Sequence, residues 1–202
     1  MHIGIDFDNT IVCYDRVFHA AALERGLIRT EIPASKQAVR DHLRESGREA
    51  DWTKLQGYVY GIKLLEADAY PGVIEFIRDF KHRDIPISII SHKTRVPYSG
   101  PKYDLHRAAM RWIASQSDLQ ENAYKISFHE TKLEKLAQIR TAGCTHFIDD
   151  LPEFLTEPAF PRLVTRVLFD PEGKKEDHLD YSRQRSWLEI SSTIETLCLN
   201  DE

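Results

Sequence analysis

MHIGIDFDNTIV, residues 1–12, begins with a short apolar run, Ile3-Gly4-Ile5, that gives way at once to Asp6-Phe7-Asp8-Asn9-Thr10. The run reads as a buried strand, and two carboxylates one residue apart stand where it ends. Open α/β sheets place ligands beyond the carboxyl ends of their strands. An Asp-x-Asp at such an end is a candidate reaction centre, and the rest of the chain is read for the elements and partners that complete it.

Asp15 to Arg25 carries Val17, Phe18, Ala21, Ala22 and Leu23 at helical spacing, with Gly26 as a stop. A simple βαβ unit would now return to the sheet. Instead come Ile32-Pro33, a helical stretch from Ser35 to Glu45 with Val39 and Leu43 on one side, a break at Gly47, and Asp51-Trp52-Thr53-Lys54-Leu55-Gln56. The regular pattern resumes only at Tyr70-Pro71-Gly72. A connection of roughly fifty residues is far longer than ordinary ones, so residues 14–70 read as a small helical cap inserted into a core formed by 1–13 and 71–202.

Beyond the insertion, an amphipathic helix over Val73 to Lys81 leads into Ile85-Pro86-Ile87-Ser88-Ile89-Ile90, near-continuously apolar as buried parallel strands are. That strand ends on Ser91-His92-Lys93-Thr94-Arg95. A helix follows from about Asp104 to Ser115, then a strand at Tyr124 to Phe128 and a helix from Thr131 to Arg140 with Leu133, Leu136 and Ile139 at helical spacing. Thr145 to Ile148 is a fourth strand ending on Asp149-Asp150, Leu163 to Phe169 a fifth, and Trp187 to Ile190 a short late strand before a closing helix near Thr193 to Leu197. Strands alternating with helices predict an α/β three-layer sandwich around a mostly parallel, Rossmann-like sheet.

Composition bounds the function. The chain has 202 residues, 42% hydrophobic and 29% charged, which is globular and long enough for a proper core. A net charge of -5 with Lys and Arg scattered offers no basic stripe, so nucleic-acid binding is not expected. Cys13, Cys144 and Cys198 are far apart with no CxxC pair, which suggests reduced, buried thiols rather than disulfides or a zinc site. No apolar run approaches membrane-spanning length and no leader pattern opens the chain, so the expectation is a soluble, cytoplasmic protein with no membrane partner. The terminal Asn200-Asp201-Glu202 is the one stretch expected to be disordered.

The order Asp-x-Asp-x-Thr after the first strand, Ser after the second, Lys at a helix start and Asp-Asp after the fourth resembles the haloacid dehalogenase (HAD) superfamily, in particular its phosphatases with a cap between the first and second motifs. The resemblance runs from Met1 to about Phe154. It implies that Asp6 is a nucleophile forming an aspartyl-phosphate. Asp8 is then the acid that protonates the leaving group and later takes a proton from water; relatives that cleave carbon–halogen bonds lack this second acid, so Asp8 points to phosphoryl transfer. Thr10 steadies the loop and borders the substrate. Ser91 and the His92 backbone N–H would donate to a phosphoryl oxygen, with Lys93 and Arg95 near an anionic substrate. Lys132, at the helix start, is ranked first as the lysine that screens Asp6 from phosphate, and Lys135, one turn on, second. Asp6, Asp149 and the Asp8 carbonyl would hold Mg2+, with Asp150 a direct, water-mediated or orienting partner.

The expected activity is Mg2+-dependent hydrolysis of a small phosphorylated metabolite such as a sugar phosphate or nucleoside monophosphate. A phosphotransferase or a nucleotide-linked diphosphate hydrolase of the same fold is the alternative, and a non-catalytic binding module a second one. A phosphonate-cleaving enzyme would need a Schiff-base lysine in the cap, for which nothing singles out Lys36, Lys54 or Lys63. Trp52, Tyr58 and Tyr60 read either as the core of the insertion or as a wall facing substrate.

Overall fold

The computed structural model describes residues 1–199, the last three by backbone alone. In chain order the elements are β1 (Ile3–Ile5), β2 (Val12–Cys13), α1 (Asp15–Glu24), α2 (Lys36–Glu45), α3 (Glu49–Tyr58), a π-helix (Val59–Lys63), a 3-10 turn (Leu64–Glu66), β3 (Asp68–Ala69), α4 (Val73–His82), β4 (Ile87–His92), α5 (Leu105–Ser115), α6 (Ser117–Asn122), β5 (Lys125–His129), α7 (Lys132–Thr141), β6 (His146–Asp149), α8 (Pro152–Leu155), β7 (Thr165–Phe169), β8 (Ser182–Gln184) and α9 (Trp187–Leu199). They fall into two compact units, one of residues 1–11, 69–92 and 118–202, the other of 12–68 and 93–117.

In the first unit six strands pair in the order β5-β4-β1-β6-β7-β8, every pairing parallel. The sheet is laid down from β1 outward to β4 and β5, then resumes on the other side of β1 with β6. This reversal of strand order puts the ends of β1 and β6 side by side, the position where such sheets hold ligands. The register sets Ile5 opposite both Ile89 and Ile148, and the Asp6 N–H donates to the Ile148 carbonyl at 2.9 Å, one residue past the end of β1.

Period-two alternation decides which side chains share a face. Gly4 and Asp6 alternate with Ile3 and Ile5, and Phe147 and Asp149 with His146 and Ile148. A Cβ on Gly4 would lie 2.5 Å from the Phe147 ring, so the absent side chain lets that ring cross β1. Phe147 joins Ile90, Leu168 and, from α7 and α8, Leu136, Ile139, Phe154 and Leu155 in one buried cluster. On the opposite face Trp187 of α9 stacks near Phe76 of α4 (5.0 Å) and Phe169 of β7 (5.7 Å). The sheet is thus sandwiched between helical layers.

The second unit packs α1 to α3 around Phe18, Trp52, Val39 and Leu43. It also takes up residues 93–117, which the sequence reading leaves in the core. Gly61 shows why: a Cβ there would lie 2.5 Å from the Tyr103 side chain, so the 93–104 loop sits directly against the π-helix, and Trp112 of α5 donates to the Ala67 carbonyl at 2.9 Å.

One expectation about elements changes. Trp187 to Ile190 is not a strand but the first turn of α9, because Trp187, Ile190 and Ile194 bury one helical face; the late strand is Ser182–Gln184. Of the three apolar residues at helical spacing in α7, Leu136 and Ile139 are buried and Leu133 is 70% exposed. Cys144 is buried and Cys13 half-buried, both as free thiols, while the Cys198 side chain and Asn200 to Glu202 lie outside the described residues. No helix among the described residues is long and apolar enough to cross a membrane.

Candidate active site

Asp6 and Asp149 leave adjacent strands on the face that α7 covers, and both are buried. Lys135 of α7 reaches down between them. Its ammonium, 2% exposed, donates to Asp6 Oδ1 at 2.6 Å and to Asp149 Oδ2 at 2.5 Å, and lies 4.0 Å from the centre of the Phe154 ring. Asp149 Oδ1 accepts the Leu151 N–H at 2.9 Å, which fixes the carboxylate as the chain turns into α8. One ammonium therefore serves two buried carboxylates. Burial pushes the Asp6 carboxyl up to about 7; Lys135 opposes that shift and the Asp149 charge adds to it. For Lys135 burial works against the charge, yet the two carboxylates outweigh it and hold the ammonium up to about 12. The lysine stays charged, and Asp6 is the group left short of positive charge.

Asp6, Asp149 and Asp150 each offer a carboxylate oxygen, all within 4.8 Å of one another. Three hard oxygen donors with net negative charge match a divalent cation such as Mg2+ and suit a soft metal poorly. The Ser91 hydroxyl supplies a second sign of a ligand. It is fully buried at the end of β4 and has no hydrogen-bond partner among the described residues; the same holds for Thr10. Buried hydroxyls left unbonded are uncommon and call for a partner.

Other expected residues sit as follows. Asp8 is half-buried in the turn after β1, and its carboxylate is outside the acidic triad. Asn9 takes a left-handed φ of 59°, a conformation Asn tolerates better than most residues, which makes its role that of turning the loop. The His92 ring joins the Glu130 carbonyl at 3.0 Å, tying the end of β4 to the loop after β5. Lys93 and Arg95 belong to the second unit. Lys93 is buried with its ammonium 4.8 Å from the Tyr60 ring, and Arg95 is exposed, 3.5 Å from Asp104. Trp52 is core, whereas Tyr58 lies at the surface, where its hydroxyl bonds Glu24 and Arg25 covers its ring.

The lysine is the main correction. Lys132, expected first, is 43% exposed and pairs with Glu157 at 3.7 Å, while Lys135 occupies the site. Thr131 caps α7 in a capping box with Glu134, so Lys132 is the first helical residue and Lys135 the fourth. The fourth position of a capped helix turns back toward the chain that enters it. Thr131-x-x-Glu134 was therefore the sequence signal that separates the two lysines.

Comparison with known proteins bears on the fold. No protein-family model and no curated protein matches the chain. Solved structures do. A HAD-superfamily hydrolase from Ehrlichia chaffeensis superimposes with a TM-score of 0.61 at 14% identity, over 98% of this chain and 97% of that one. A HAD hydrolase from Bacillus subtilis, crystallised with magnesium, gives 0.57 at 11% identity over 96% and 97%. A HAD phosphatase from Thermococcus onnurineus gives 0.51 at 14% over 96% and 97%. With matching coverage on both sides, the chain has the fold of the haloacid dehalogenase superfamily hydrolases.

Proposed function

We propose that the chain is a Mg2+-dependent phosphohydrolase that cleaves small phosphate monoesters by way of an aspartyl-phosphate on Asp6. The observation that carries this reading is the buried Asp6 carboxylate, bound by Lys135 at 2.6 Å, in a triad with Asp149 and Asp150 at a strand-order switch. Asp6 Oδ2 is the free oxygen for attack on phosphorus, since Oδ1 is engaged by Lys135. As that P–O bond forms, the bond to the leaving alkoxide breaks, and Asp8 supplies its proton. Asp8 then takes a proton from the water that attacks phosphorus, which releases phosphate and restores the Asp6 carboxylate. The Ser91 hydroxyl donates to a phosphoryl oxygen, using the hydrogen bond it lacks among protein groups. Asp6, Asp149 and Asp150 would hold the cation, which when bound offsets the negative charge of phosphate and carboxylates.

Release of phosphate from p-nitrophenyl phosphate, with magnesium against EDTA, tests the reading. Asp6→Asn should lower kcat by at least about a thousandfold, the scale on which losing a covalent nucleophile acts. Full turnover by Asp6→Asn, or turnover indifferent to EDTA, would overturn it.

A further inference from the structure

The first unit carries a pocket of about 500 Å3 that the hydrolysis reading does not use. Its wall is the 158–164 segment, which leads from α8 to β7, together with Arg140 in the last turn of α7 and Cys144 just beyond. Cys144, Phe160 and Val164 are buried and belong to the apolar cluster that also contains Leu136, Ile139 and Phe154. The Phe160 ring lies 5.7 Å from that of Phe154 and 6.2 Å from that of Phe147, and the Arg166 guanidinium lies 4.6 Å from its centre. These packed rings give the pocket a floor that exists before any ligand arrives, as small-molecule sites have.

Local structure holds the rest of the wall in place. Pro158 and Pro161 each fix a backbone angle. The Phe160 N–H donates to the Glu157 carbonyl at 2.9 Å and the Val164 N–H to the Pro161 carbonyl at 3.2 Å, so the segment makes two successive turns. The second turn buries Val164 and leaves its neighbour Leu163 96% exposed at the pocket. Two cations line the pocket, Arg140 and Arg162, and no acidic residue does. Neither guanidinium is paired with a carboxylate among the described residues, whereas nearby Arg166 is engaged by the Leu155 carbonyl at 2.6 Å and Asp180 at 3.5 Å. In a chain of 32 acidic and 27 basic residues this is a local reversal of the charge balance.

Apolar walls select a hydrocarbon body, and two unpaired guanidiniums select an anion; a carboxylate matches the two parallel N–H donors of a guanidinium. A phosphate dianion suits the pocket less, because its stronger hydration makes desolvation against proline and phenylalanine more costly. We infer that this pocket is a binding site for a small apolar carboxylate, one charged head on an aliphatic or aromatic body. The inference goes beyond the hydrolysis reading and does not depend on it, since none of these residues is placed in the Asp6 centre.

Calorimetry on the full chain at neutral pH tests this, with EDTA present so that no cation at Asp6 offers the acid a second place to bind. The probe is 3-phenylpropionate, compared with 3-phenylpropionamide, which has the same body without the charge, and with acetate, which has the head alone. The acid should bind about tenfold more tightly than either. Arg140→Met and Arg162→Met should each weaken the acid about fivefold and leave the amide where it was. Ala159→Trp, which places a large ring at the pocket, should weaken acid and amide together. All three positions are exposed, so the variants should melt with the parent, and thermal melts check that they do. Equal affinity for acid and amide, acid binding unmoved in the Arg140→Met, Arg162→Met double variant, or an acid dissociation constant weaker than about 10 mM overturns the inference.

Discussion

Lys135 is held by two carboxylates and a ring, and its chemistry differs from that of Lys132 although both lie on one helix. Removing one member of a buried ionic cluster leaves the others uncompensated, at a cost of about 3–5 kcal/mol. Lys135→Met should therefore unfold at clearly lower denaturant and lose phosphate release, because Asp6 and Asp149 then face the substrate unscreened. Lys132 makes an exposed pair with Glu157, and such pairs contribute about 0–1 kcal/mol. Lys132→Met should stay within that margin and keep its turnover. Chemical denaturation and aryl phosphate kinetics on the two variants check this directly; equal losses in both would mean that the helix, rather than one ammonium, matters.

At the level of elements, the end of the sheet opposite the site has its own chemistry. His2 precedes β1, and its ring bonds Ser88 Oγ of β4 at 2.9 Å within the core. Burial depresses its pKa below the usual 6.5, a backbone hydrogen bond opposes that shift, and the nearby N-terminus adds to it. In the unfolded chain His2 takes up a proton as pH falls through 6.5, while the folded chain resists until lower pH. Its contribution to stability is thus complete above pH 6.5 and is lost on acidification below it. Thermal melts from pH 7.5 to 5 should show the decline, and His2→Gln should flatten it; an unchanged slope would assign the loss to other groups. The elements themselves were legible where one rule sufficed. Asp15, Ser35, Asp104 and Thr131 marked helix starts to within a residue, and the apolar run before Ser91 marked a strand. What misled was a short apolar segment, Trp187 to Ile190, whose helical period shows only once Ile194 is included. The fate of residues 93–117 was hidden for a different reason: it depends on close approach at Gly61, a contact between segments distant in sequence that leaves no local pattern.

For the whole molecule, the division into two units makes metal binding a spatially specific event. Asp6, Asp149, Asp150, Lys135 and Ser91 all belong to the first unit, and α1, α2 and α3 to the second. A ligand that binds only the native state stabilises it by RT ln(1 + [L]/Kd), about 2.7 kcal/mol at a hundredfold excess over Kd. That energy enters where the carboxylates are, since the single ammonium of Lys135 faces both Asp6 and Asp149 and leaves the acidic cluster with excess negative charge. Magnesium should accordingly slow hydrogen exchange at β1, β6 and the Leu151 N–H by up to about a hundredfold in the limit where exchange follows the opening equilibrium. Amides of α2 and α3 should change far less. The effect should also be larger at pH 8 than at pH 6, because Asp6, raised to about 7, must lose its proton to serve as a ligand. Exchange measured by mass spectrometry with magnesium and with EDTA at both pH values checks all three points. Protection spread evenly over both units would mean that the cation acts on the molecule as one body, and protection confined to α2 and α3 would place its site away from Asp6.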